Sequence, residues 1–116
     1  MVTYLGTAFS LQMIPPEAGE VTIKVRKLTV EEAREVLSGG FISVVGHEVT
    51  ARVMEKLLGI KVPINRTTIR LSKGDVLVVF QLLHGRTEQT RELTPQEVED
   101  VVNRGLYAIY IVNVKS

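Results

Sequence analysis

Chemistry in this chain centres on one histidine and a few polar groups. His47 lies in Val44-Val45-Gly46-His47-Glu48, where an apolar run passes straight into a helical pattern. Two other helix starts carry capping boxes, Thr29-Val30-Glu31-Glu32 and Thr94-Pro95-Gln96-Glu97. There the threonine hydroxyl accepts from the third N–H and the glutamate reaches back to the threonine N–H. The start at His47 has no such box. Its N–H groups and the positive end of its dipole therefore offer an anion site. Gly46 lets the backbone approach a bound group closely. The charge of a phosphodiester bound there would favour the protonated imidazole, the form that can protonate a leaving oxygen. The plainer alternative is a histidine hydrogen-bonded locally at a helix start, and spacing alone favours it.

Asn65-Arg66 and Gly85-Arg86-Thr87-Glu88 fall in loops, where arginine forks meet phosphate oxygens. Solvated surface arginines are the commoner case. Ser10 and Gln12 follow the first strand and suit phosphate or ribose, or else cap their own turn. Other chemistries find little support. The second histidine is His84, and no His-x-x-x-His or Asp-x-Asp spacing exists, so no metal site is expected. There is no Gly-x-Ser-x-Gly elbow, dinucleotide fingerprint or Walker loop, and no cofactor is expected. Aromatics make up 5%, with no stripe to stack single-stranded bases.

The elements that must position these groups follow from periodicity and punctuation. Val2–Ala8 predicts a strand, and Pro15-Pro16 ends the stretch after it. Glu20–Leu28 alternates Val21, Ile23 and Val25 against Thr22, Lys24 and Arg26, a half-buried strand. The first capping box opens a helix whose apolar face is Val30, Ala33, Val36 and Leu37, ended by Gly39-Gly40. Phe41–Val45 predicts a short buried strand. His47 to Leu58 predicts a second helix with the stripe Val49, Val53, Met54, Leu57 and Leu58, stopped by Gly59. Thr67–Leu71 reads as a short strand and Val76–Leu83 as a strongly apolar one. The second box, with Pro95 at its first position, opens a third helix that turns Val98, Val101 and Val102 inward and ends at Gly105; Leu106–Val114 is the last strand. The expected architecture is α/β: one domain over residues 1–116, a mixed β-sheet with three helices packed on it.

Composition agrees. The 116 residues are 45% hydrophobic and 23% charged, enough for one core. A net charge of +1 argues against a surface coated in positive charge for duplex DNA, while leaving room for a local patch. With no cysteine, disulfides, iron–sulfur clusters and thiolate zinc are excluded, which fits a reducing cytoplasm. No signal peptide is read at the start, and runs such as Val76–Phe80 are too short to cross a bilayer.

Four blocks in order, Ala8-Phe9-Ser10-Leu11, Gly46-His47-Glu48, Val62-Pro63-Ile64-Asn65-Arg66 and Val79-Phe80-Gln81-Leu82, give the chain a family resemblance. It resembles the viral ring nucleases, the type III anti-CRISPR proteins of archaeal viruses and some phages and bacteria, over nearly its whole length. The resemblance implies a homodimer in the host cytoplasm that binds cyclic tetra-adenylate, the messenger a type III CRISPR complex makes. It implies metal-free opening of the ring to linear products with a 2′,3′-cyclic phosphate. His47 matches the family's catalytic histidine, Arg66 and Arg86 its phosphate-binding arginines, and Ser10 and Gln81 polar groups lining the ring site; Gly46 should help hold a phosphate. Two departures stand out. Thr7 replaces a frequent asparagine, and Arg86-Thr87-Glu88-Gln89 places the carboxylate one residue earlier than the family's Arg-x-x-Glu. Either Glu88 takes the acidic role or Gln89 replaces it; Glu88 is preferred.

Two other functions compete. A non-catalytic DNA-binding dimer would set Arg66, Arg70, Arg86 and Arg91 in a basic saddle, with steep salt dependence and little sequence preference. An interaction protein blocking a host factor would need neither His47 nor the arginines.

Overall fold

Five consecutive residues, Val76–Phe80, are buried, so both faces of their strand are covered. That is the signature of a central strand and it anchors the sheet. The computed structural model describes residues 1–83 and 94–115. In chain order its elements are β1 (Thr3–Gly6), a short 3-10 turn (Leu11–Met13), β2 (Ile23–Leu28), α1 (Val30–Leu37), β3 (Ile42–Ser43), α2 (Glu48–Leu58), β4 (Val76–Leu82), α3 (Pro95–Asn103) and β5 (Tyr107–Val114). The strands form one sheet in the order β2-β5-β4-β1-β3. β1 runs parallel to both β3 and β4, with Tyr4 opposite Ile42 and Leu5 opposite Val78. β5 is antiparallel to β4 and to β2, so the sheet is mixed.

Alternation along the strands gives the two faces different covers. Leu5, Val76, Val78, Phe80, Ile109 and Ile111 face the helices and pack with Ala33 and Leu37 of α1 and Ala51, Val53, Met54 and Leu58 of α2, with Val102 of α3 at the margin. Leu77, Val79, Val112 and Val114 face the other way, under Phe9, Met13, Val21, Ile69 and Leu71 from the connecting segments. The side chains of Val98 and Val101 lie outside the described residues.

The helices start and stop as their sequences dictate. Thr29 and Thr94 both form complete capping boxes, and Gly59 closes α2 in the left-handed region at φ 66°. Arg34 of α1 adds a tertiary cap: its Nε donates to the Leu58 carbonyl at 3.1 Å and its Nη2 to the Leu57 carbonyl at 2.9 Å. These are otherwise orphaned acceptors at the negative end of α2.

At the amino ends of β1 and β4, Asp75 is 7% exposed and serves only the backbone. Its Oδ1 accepts from Val2 N–H at 3.0 Å and its Oδ2 from Ser72 N–H at 2.9 Å. Its carbonyl accepts from Val114 N–H at 3.2 Å. The Asp75 carboxylate thus joins the start of β1 to the turn before β4, and its backbone carbonyl adds the end of β5.

Three expectations are corrected. Thr67–Leu71 is not a strand: the sheet edges are β2 and β3, and this segment lies over a face, held by one bond from Leu71 N–H to the Met13 carbonyl at 2.7 Å. The buried strand expected at Phe41–Val45 shrinks to the two residues of β3, with Ile42 exposed, because it sits at an edge. Val25, assigned to the inward face, is 55% exposed, since β2 is the other edge and its cover does not reach that far.

Candidate active site

The parallel arrangement of β1, β3 and β4 brings three carboxyl ends to one side of the sheet. Open α/β sheets bind ligands at that side. Thr7 follows β1, Gly46 and His47 stand three and four positions after the end of β3, and Gln81 is the penultimate residue of β4. Thr7, His47, Thr50, Phe80, Gln81 and Leu82 surround an open cleft of about 320 Å³. Phe80 forms its floor; the ring is buried and stacks on Tyr107, centroids 5.5 Å apart and planes 14° apart. That contact ties the end of β4 to β5 and fixes the floor.

His47 is the N-cap residue of α2, with extended backbone at φ −121° and ψ 123° and an exposed side chain. Its carbonyl opens the helix by accepting from Ala51 N–H at 3.0 Å. Its side chain makes no capping hydrogen bond, whereas the caps of α1 and α3 are both complete. The contrast in helix starts expected from the sequence is therefore present. Glu48 stands in the first turn of α2 and already meets part of the dipole.

Arg66 is placed by a network of backbone bonds. Ser43 Oγ donates to the Pro63 carbonyl at 2.6 Å and accepts from Val45 N–H at 3.3 Å. Asn65 Nδ2 donates to the Ser43 carbonyl at 2.7 Å, and Asn65 N–H to the Val45 carbonyl at 2.8 Å. Arg66 Nε donates to the Gly46 carbonyl at 2.7 Å. The segment before His47 and the segment carrying Arg66 are thus laced together. The group that the structure places close to Gly46 is the Arg66 side chain: a Cβ there would stand 2.8 Å from Arg66 Cγ.

Ser10 is used locally, its Oγ accepting from Gln12 N–H at 3.2 Å to cap the 3-10 turn. It also lines a smaller hollow, about 210 Å³, with Thr7, Gln12, Thr67 and Thr68. Thr7 borders both hollows, so the structure brings His47, Gln81, Thr7 and Ser10 to the same side of the sheet. Arg86, Glu88 and Gln89, and with them His84 and Arg91, lie outside the described residues. Sequence reasoning missed Thr50 and Ser43. Thr50 is three residues beyond His47, a spacing that shares a helix face; Ser43 carries no local signal, because its partner is Pro63. Among the described residues, no three His, Cys, Asp or Glu side chains group closely enough to hold a metal ion.

The fold and cleft define a small mixed α/β protein with polar groups gathered at the carboxyl ends of its parallel strands. The chain belongs to the STIV B116-like family, whose model matches residues 3–106 and spans every candidate residue. Uncharacterized protein 26 of Sulfolobus islandicus filamentous virus is 38% identical over 100 residues, 84% of this chain and 82% of that protein. Protein ORF117 of Acidianus two-tailed virus is 28% identical over 106 residues, 89% and 88% of the two chains. YddF of Bacillus subtilis is 32% identical over 92 residues, 77% and 81%. The structure of B116 of Sulfolobus turreted icosahedral virus matches with a TM-score of 0.75 at 25% identity, covering 97% of this chain and 99% of that one.

Proposed function

We infer that this protein is a metal-independent ring nuclease that opens cyclic tetra-adenylate, countering type III CRISPR defence in the host cytoplasm. The observation that carries the reading is the cleft itself: His47 stands with Gln81 and Thr7 where parallel strands end, beside an arginine locked in place. RNA brings its own nucleophile. The 2′-oxygen attacks phosphorus and yields its proton to water; the P–O5′ bond breaks; His47 protonates the departing O5′, leaving a 2′,3′-cyclic phosphate. The protein needs to align the 2′-OH, offset charge and supply that proton. Arg66 and Arg86 meet the phosphates, Ser10 and Gln81 bind the ring, and Glu88 orients the histidine or ribose. A four-fold ring contains a two-fold axis, so a two-fold dimer of this chain grips it symmetrically.

The test is single-turnover incubation of wild type and His47→Ala with labelled cyclic tetra-adenylate in EDTA. Conversion by wild type to a linear cyclic-phosphate product, lost in a variant that still binds, is the expected result. Binding without conversion would make the protein a sequestering sponge. Neither binding nor cutting would favour the DNA-binding dimer. A ring with 2′-deoxyribose should bind and stay intact; its cleavage would refute internal attack.

A further inference from the structure

We propose that Gly46 is a positioning residue for Arg66, resting on the reading above that Arg66 meets a ring phosphate. Gly46 is not among the glycines with positive φ, so its backbone would accept alanine. The obstacle is the arginine. A Cβ at residue 46 would stand 2.8 Å from Arg66 Cγ and 3.6 Å from its Cδ and Nε. Cγ is the second carbon of the side chain, so relief at that atom requires turning χ1, which swings the entire guanidinium. The backbone cannot retreat instead. Asn65, one residue before, is held by its N–H to Val45 and by its Nδ2 to Ser43, at 2.8 and 2.7 Å. A turned χ1 also breaks the 2.7 Å bond from Arg66 Nε to the Gly46 carbonyl. With Nε engaged, the guanidinium plane is fixed and its two Nη groups form a preset fork for a phosphate, sparing the ordering cost that binding would otherwise carry. Residue 46 therefore acts on the ligand through a side chain twenty positions along the chain, not by laying its own backbone against the phosphate.

The experiment is a double-mutant cycle on affinity for labelled cyclic tetra-adenylate, with Gly46→Ala, Arg66→Ala and the pair. Each single variant should bind about ten- to a hundredfold more weakly, the span of a charge-assisted hydrogen bond. The pair should match Arg66→Ala alone, with melting temperatures close to wild type throughout. A further loss from Gly46→Ala in the Arg66→Ala background would overturn the proposal, since residue 46 would then touch the ligand directly. Unchanged affinity in Gly46→Ala, with Arg66→Ala impaired, would overturn it too. A ligand-free readout separates this inference from the nuclease reading: the Arg66 Nε–H signal in NMR should exchange slowly in wild type and rapidly in Gly46→Ala. Its persistence in Gly46→Ala refutes the inference even if the ring is not bound at all. Should Gly46→Ala not fold, the wild-type signal decides: rapid exchange of the ligand-free Arg66 Nε–H would overturn the proposal, since the arginine would then not be held at Gly46.

Discussion

The two ends of β1 and β4 are built to opposite specifications. At the amino ends, Asp75 is buried and spends both carboxylate oxygens on backbone N–H groups of Val2 and Ser72. At the carboxyl ends, His47, Gln81 and Arg66 are exposed and border open space or solvent. Polar groups turned inward hold strands together; polar groups turned outward face solvent at the cleft. The difference teaches that the stabilising polar groups and the proposed site occupy opposite ends of the same strands, so each should be open to damage without the other.

The largest expected effect tests the chemical end. His47→Ala should slow ring opening about 10²- to 10⁴-fold, the usual worth of a positioned general acid, while its unfolding curve stays that of wild type. Next comes the structural end. Asp75→Asn cannot accept with both side-chain atoms and strands a backbone N–H; it should cost about 1–3 kcal/mol in urea unfolding, with single-turnover cleavage by the folded protein unchanged. Equal stability losses in these two variants, or dead chemistry in folded Asp75→Asn, would break the comparison. Thr29→Ala, which removes the α1 cap, should lose about 1 kcal/mol of stability and no activity, sharpening the contrast between a closed helix start and the one at His47.

The smallest effect depends on pH. The Thr29 N–H and then the Arg26 guanidinium hold the Glu32 carboxyl below the ordinary glutamate range. A carboxyl lowered in the folded state binds fewer protons than it does unfolded. Its contribution is complete above the ordinary glutamate range and fades as pH falls through the lowered one. Thermal melts of wild type and Glu32→Gln from neutral pH to pH ~3 should show a small gap that closes in acid. A gap that widens in acid would reverse the assignment.

The parts of this fold that local chemistry specifies were legible in the sequence. Both capping boxes form, Gly59 ends α2, and the Val76–Phe80 run is the buried centre of the sheet. Edges were not legible, because the exposure of Val25 and Ile42 depends on which strands lack a neighbour. The same holds for the site. His47 announces itself by the missing box beside it, and Gln81 came only through family resemblance. The duties of Ser43, Asn65 and Arg34 are set by partners some twenty residues away, and no local pattern carries that pairing.

The Asp75 bond to Val2 spans 73 positions, and β1 pairs with β3 and β4. β1 meets β3 some forty residues along the chain, but its place between two neighbours exists only once β4 has formed. Pairings this distant close large loops before any contact rewards them, which places the chain among slower-folding topologies than helical bundles of its size. During synthesis the short β3 can pair one edge of β1 early, but the edge that β4 covers stays open until Val76–Leu82 has emerged.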